Sequence, residues 1–355
     1  MARITLTLSR AVLLASLLLL PPAACHDKTT KVKSGASIQT ALDNAKPGDH
    51  IVVEAGTYPE QLAITTPNIQ LSGQPGATIV PPTTFTPNSC SGLAGPGTEA
   101  GICISGSDIV FGELESPGHR KVTSVGHRVA NVKVEGFTVV GFALNIAILG
   151  AQDAEVRKNT VTDGGWYGIL TVGSVSSLVT RNTVSTSGAL YFIGICMDDP
   201  QPAQVTQNVI SNYGIGLCVQ TAGADVGHNK VSNCCFGAFV DPFVDGAKVT
   251  HNHFSHSNPT CQAEWGGYSA GILIDGATHA EVRHNDVEGI TDYGNEALIA
   301  YGIGIVDEAG SVARGNQVTH NTLWDNDLDL LVYTNGTDNE VAHNKCSTPG
   351  ELCGK

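Results

Sequence analysis

From residue 156 onward, an apolar residue repeatedly stands three places before an asparagine, and another apolar residue two places after it. The pattern reads Val156 to Val161, Val179 to Val184, Val205 to Ile210, Val226 to Val231, Val249 to Phe254, Val282 to Val287, Val318 to Leu323 and Val341 to Cys346. Its central residues, Asn159, Asn182, Asn208, Asn229, Asn252, Asn285, Asn321 and Asn344, are separated by 23, 26, 21, 23, 33, 36 and 23 residues. A repeat of this length, rich in glycine and β-branched residues and lacking long amphipathic runs, predicts one solenoid coil of short strands per repeat. Each coil holds a further strand, in which glycine leads alternating apolar residues: Gly168-Ile-Leu-Thr-Val, Gly194-Ile-Cys-Met-Asp, Gly216-Leu-Cys-Val-Gln, Gly237-Ala-Phe-Val-Asp, Gly271-Ile-Leu-Ile-Asp and Gly302-Ile-Gly-Ile-Val. An asparagine at an inward-facing turn can donate and accept along the stack, so the column predicts a structural ladder.

Upstream, Ser37-Ile-Gln-Thr-Ala-Leu-Asp-Asn-Ala has the spacing of a short amphipathic helix that would cover the open edge of the first coil. It is followed by Lys46-Pro-Gly-Asp-His-Ile-Val-Val-Glu-Ala-Gly-Thr-Tyr. This segment resembles the N-terminal start of the pectin-lyase-like superfamily, a helix cap followed by a P-G-D-x-I-x-V-x-x-G-x-Y strand and turn. With the repeats, the resemblance extends over nearly the whole chain from about Val32. It implies an all-β fold, a right-handed parallel β-helix (β-solenoid) with a short N-terminal capping helix. It implies no single reaction, because the superfamily holds polysaccharide lyases, hydrolases and epimerases as well as proteins without known chemistry.

The ends and the composition narrow the setting. Arg3 and Arg10, the apolar run Ala11 to Leu20, and the small residues Ala23 and Ala24 read as an export signal over residues 1–25, leaving a single β-helix domain over 32–355. Cys25 leaves a lipid anchor open, although Pro22 departs from the usual lipobox. No later segment reads as a membrane span. The 10 cysteines of an exported chain predict disulfides: Cys90 with Cys103, Cys346 with Cys353, and Cys261 with Cys234 or Cys235. Cys196 and Cys218 fall at matching places in consecutive coils, as thiols or as a bridge. With 19 Lys and Arg against 33 Asp and Glu, the formal charge is -14, which argues against nucleic acid and anionic lipid as partners. A polyanionic glycan would need Ca²⁺ to bridge it. An extracellular glycan or a small molecule bound by a monomer fits more easily.

Aligning the glycine-led strands places Asp198, Gln220, Asp241 and Asp275 in one column, with Asp307 one position further along. Carboxylates on consecutive coils would lie roughly 5 Å apart, and those two coils apart nearer 10 Å. These spacings bracket retaining and inverting glycosidases. Asp198, Asp241, Asp275 and Asp307 are therefore the candidate acid, base or Ca²⁺-binding set; the plainer reading is that each Asp ends a strand and starts a turn. Tyr167, Tyr213, Phe236 and Tyr301 precede the strand glycines, and the two long coils add Glu264, Trp265, Tyr268, Asp292, Tyr293 and Glu296. Tyr167, Tyr213, Trp265, Tyr268, Tyr293 and Tyr301 are candidate sugar-stacking residues, with packing as the alternative, above all for Phe236. Before the Asn ladder runs Lys158, Arg181, Gln207, His228, His251, His284, His320 and His343, a metal- or pH-sensitive face or simply a turn position.

No H-E-x-x-H, P-loop or dinucleotide fingerprint occurs. The mid-coil strands carry no Arg to match a pectate-lyase base, and Asp241-Pro-Phe replaces the D-P-H of mannuronan epimerases. Three readings follow: a secreted glycan hydrolase or lyase, a non-catalytic glycan-binding surface β-helix, and a secretory-pathway isomerase or cyclase with an enclosed pocket. Asn335-Gly-Thr is the one evident sequon.

Overall fold

The computed structural model describes residues 28–115, 117–188, 190–261, 268–295, 297–308 and 310–354. The expected export signal over residues 1–25, Glu264, Trp265 and Glu296 lie outside them. Three parallel sheets run the length of the described chain, of 12, 10 and 10 strands. Each coil contributes one strand to each sheet in turn, the wrapping of a right-handed parallel β-helix.

The repeat explains the cross-section. The first apolar residue of V-x-x-N-x-V points inward from sheet 1, where Val156 pairs with Val179 and Val179 with Val205. The second points inward from sheet 2, where Val161 pairs with Val184 and Val184 with Ile210. Sheet 3 supplies the third wall through pairs such as Ile169 with Ile195 and Ile195 with Leu217. Burying every inward branched side chain from water provides roughly 1.5–3 kcal/mol each, the main force that closes the coils.

The corner between sheets 1 and 2 is built from two residues. The first is left-handed, with φ between 52° and 59° from Lys158 through Arg181, Gln207, His228, His251, His284 and His320 to His343. The second is the ladder asparagine. The Oδ1 of Asn208 accepts from the backbone N–H of Asn182 at 2.9 Å and from its Nδ2 at 3.0 Å, while the Nδ2 of Asn208 donates to Val179 O and to Asn229 Oδ1. The same contacts recur along the column, so the corner amides are satisfied without water. The five imidazoles thus occupy the exposed corner position, their ring centroids 5.0 to 5.3 Å apart.

The strand glycines occupy the next corner and face inward. A Cβ on Gly168 would lie 2.4 Å from Val184 Cγ1 and 3.2 Å from the Tyr213 hydroxyl. The space they leave takes the Tyr213 ring, which is fully buried in the central core.

The capping helix α1, Ile38–Asp43, lies over the first coil with Ile38 and Leu42 buried. Ser37 Oγ accepts from Thr40 N, and the Glu60 carboxylate accepts from the amides of Ile38 and Gln39. Disulfides join Cys90 to Cys103, Cys196 to Cys218, Cys235 to Cys261, and Cys346 to Cys353. Cys235, not Cys234, is thus the partner of Cys261; Cys234 is a buried thiol. These bridges match an oxidising compartment. No helix among the described residues is long and apolar enough to cross a membrane.

Candidate functional site

One element interrupts the solenoid. An antiparallel hairpin, Ser107–Leu114 and Arg120–His127, leaves sheet 3 after its second strand, Ala100–Ser105, and folds back over that sheet's outer face. Its Ile109, Phe111 and Val122 pack on a patch containing Leu149 and Val172, and the Arg120 amide donates to Leu93 O at 2.8 Å. The outer positions Ser105, Leu149 and Val172 are sealed by this cover. The next position in register is Asp198, where the outer face opens.

The expected acidic column is present. Met197 pairs with Val219, Val219 with Val240 and Val240 with Ile274, which sets Asp198, Gln220, Asp241 and Asp275 side by side on four consecutive coils. Asp307 stands apart from them. It accepts from the amides of Ala313 and Asn335 and from the Thr334 hydroxyl, bonds that outweigh burial and hold its carboxyl below the usual range. These contacts are those of a loop-tying residue.

Residues of the hairpin complete the site. Asp198 Oδ2 accepts from His119 Nε2 at 2.9 Å and lies 3.1 Å from Lys121 Nζ. His119 Nδ1 meets the Tyr167 hydroxyl at 3.0 Å, and Lys121 Nζ donates to Gln220 Oε1 at 3.0 Å and approaches Glu115 at 3.4 Å. Gln220 Nε2 in turn donates to Asp241 Oδ2. A chain of polar contacts therefore runs from Tyr167 to Asp241. Beside it lies an open groove of about 580 Å³, lined by Glu115, Lys121, Gln220, Asp241 and Phe243 among others. That size suits a small ligand or the end of a longer one.

Asp241, which lines the groove, and Asp198, which reaches it through Lys121, are shifted in opposite directions. Burial alone would raise Asp198, but the His119 hydrogen bond and the Lys121 ammonium outweigh it and hold the group below the usual range. Burial pushes Asp241 up to about 7, with the charges of Asp275 and Glu115 adding to the rise and Gln220 and Lys121 opposing it. Asp275 is also raised to about 7, by burial and by Glu308 and Asp307. Asp199, adjacent to Asp198, turns inward, bonds Thr171 and Ser174, and is raised by burial to about 7.

The aromatic candidates divide by position. Tyr213 lies inside the core and cannot touch a ligand. The coil has glycines at both 214 and 216, and Gly216 is the one in register, which puts Ile215 in the outer row. Tyr167 and Tyr301 do face outward, yet they are buried beneath His119 and Tyr268 respectively. Tyr293 is exposed and its hydroxyl donates to Ser257 O. Trp265 lies outside the described residues. Phe243 is 73% exposed at the groove rim and has φ 68°, an uncommon conformation for a bulky side chain. Sequence reasoning missed Glu115, His119, Lys121 and Phe243; only Phe243, beside Asp241-Pro, was near a motif.

Among the described residues, no group of three or more His, Cys, Asp or Glu side chains is placed to hold a metal ion. The expected Ca²⁺ set therefore lacks a described ligand shell.

Family models match two overlapping parts of the chain: "Periplasmic copper-binding protein (NosD)" over residues 115–265 and "Right handed beta helix region" over residues 193–350. No curated protein matches by sequence. Among solved structures, DFA-IIIase from Arthrobacter chlorophenolicus A6 in complex with GF2 is similar at 15% identity and TM-score 0.52, covering 86% of each chain. The family 28 exopolygalacturonase of Yersinia enterocolitica is similar at 15% identity and TM-score 0.50, covering 88% of this chain and 76% of its own. Coil register, capping helix and these likenesses agree on one architecture: the chain has the right-handed parallel β-helix, pectin-lyase-like fold.

Proposed function

We propose that the chain is an exported glycoside hydrolase in which Asp241 is the general acid and Asp198 the general base. The observation that carries this reading is the opposite displacement of two carboxyl groups beside one groove. A group raised to about 7 keeps its proton near neutral pH and can protonate a departing glycosidic oxygen, while a group held down by His119 and Lys121 stays ionised to activate water. They stand two coils apart, and two strand spacings are roughly 10 Å, near the upper end of the separation that leaves room for a water and inverts the anomeric centre.

Two structural neighbours are named as enzymes, one an exopolygalacturonase, which supports carbohydrate chemistry on this scaffold. Hydrolysis is favoured over elimination because Lys121, the described cation in the groove, is occupied by Glu115, Asp198 and Gln220. A second arrangement is favoured by the adjacency of Asp241 and Asp275: at roughly 5 Å it would retain configuration.

The test is a screen of neutral and acidic glycans for new reducing ends, followed by NMR of the first-formed anomer. Asp198→Asn and Asp241→Asn are expected to lose about 10²–10⁴-fold of the rate while remaining folded, with an inverted product from the wild type. A retained product together with loss in Asp275→Asn would transfer the base role to Asp275. Full activity in both Asp198→Asn and Asp241→Asn would overturn the assignment.

A further inference from the structure

The hairpin gives the groove a direction. N-terminal to Asp198 the outer face of sheet 3 is shut: Val122 sits where a Cβ on Gly173 would come within 2.6 Å, and Val125 within 3.0 Å of one on Gly150. Arg128 Nη1 also donates to Ala151 O at 3.3 Å. At this boundary the hairpin is pinned by side-chain contacts of His119 to Tyr167 and Asp198 and of Lys121 to Asp198 and Gln220. On the opposite side, toward the next coils, the described rim carries the exposed ring of Phe243. The groove itself spans three coils, from Asp199 and Pro200 through Gln220 and Ala222 to Asp241–Val244. A saccharide lying along the helix axis through it would have to pass through the hairpin.

The lining also sets the charge of the ligand. Glu115 and Asp241 line the groove, and Lys121, which lines it too, is already engaged by Glu115 and by Asp198 behind it. No other cationic side chain is among the described lining residues, so a uronate carboxylate would meet like charge without a partner.

We propose that the hairpin is an end wall and that the site takes the terminus of a neutral saccharide chain, trimming from the end instead of cutting within. His119 and Lys121 are positioning residues for the wall, and Phe243 is the stacking face for the sugar on the open side. This rests on the hydrolase reading for its chemistry but not for its geometry. The step is hydrolysis: water adds to the anomeric carbon, its proton goes to Asp198, the glycosidic bond breaks, and the leaving oxygen takes the Asp241 proton.

The two parts separate in one set of measurements. Probes are end-labelled linear malto-, cello-, xylo- and inulo-oligosaccharides, their cyclic counterparts where these exist (cyclomaltohexaose, cycloinulohexaose), and polygalacturonate. Binding is measured on Asp241→Asn and product size on the wild type. The expected result is binding of a linear neutral oligosaccharide about tenfold or more tighter than its cyclic form, with one product size from the earliest time points. The double variant His119→Ala/Lys121→Ala, read by binding alone because it also loosens Asp198, should then lose the linear-over-cyclic preference and bind both forms within about twofold. Linear-selective binding without any product overturns the hydrolase reading and supports the wall. A broad product ladder at early times, or cleavage of the cyclic form by wild type, overturns the wall and leaves the hydrolase. Polygalacturonate trimmed as fast as the best neutral chain overturns the charge assignment, and no binding to any probe overturns both readings.

Discussion

Two polar columns run along this solenoid, and the chain treats them in opposite ways. In the Asn ladder each member does the same work: it faces inward, accepts from the asparagine of the preceding coil and donates to a carbonyl. In the acidic column of sheet 3, each member has a different environment. Asp198 is held ionised by two hairpin residues, Gln220 bridges, Asp241 is raised by burial, and Asp275 is raised next to Glu308 and Asp307. A column of identical environments is what a fold needs. A column whose neighbours differ in protonation is what proton transfer needs.

The sharpest break of this contrast is to remove one rung. Asn208→Ala strips the acceptor from the buried amide of Asn182 and the donor from Val179 O, and should cost about 3 kcal/mol or more, read as a lower urea midpoint. Asp275→Asn should do the reverse at neutral pH. Its folded pKa is raised, so the stability tied to its protonated form is fully present below the unfolded value near 4 and is lost as pH rises through about 7. The variant should therefore match wild type at pH 4 and be more stable by about 1–3 kcal/mol at pH 8, in paired urea titrations. The smallest effect belongs to the imidazole row. His251→Asn keeps a side chain that tolerates φ 58° at an exposed corner and should change stability by no more than about 0.5 kcal/mol. A larger loss would give the row a structural role that its exposure does not support.

Much of the fold was legible because a solenoid writes its cross-section into every repeat. The apolar residues on either side of each ladder asparagine marked two walls, and the inward glycines marked the corner before the third. The same periodicity exposed the acidic column, since Asp198, Asp241 and Asp275 sit at a constant distance from Gly194, Gly237 and Gly271. It could not expose His119 or Lys121. They lie on a hairpin that belongs to no repeat, and His119 reaches Asp198 across 79 residues of sequence. Tyr213 was misplaced for another reason: it precedes Gly214, whereas the strand glycine of its coil is Gly216, which Ile215 precedes. Burial separated Tyr167 and Tyr301 from solvent through the hairpin and the long-coil residue Tyr268, elements whose packing the repeat does not encode.

The central claim is that one groove holds two carboxyl groups in opposite states at neutral pH. Carbon-13 NMR titration of aspartate carboxyls, with Asp198→Asn and Asp241→Asn supplying the assignments, measures this without knowledge of the substrate. The account predicts that the Asp241 resonance titrates near pH 7 and that Asp198 titrates below the ordinary carboxylate range. Both groups titrating together near pH 4 would contradict it and leave the acidic column as a row of strand ends.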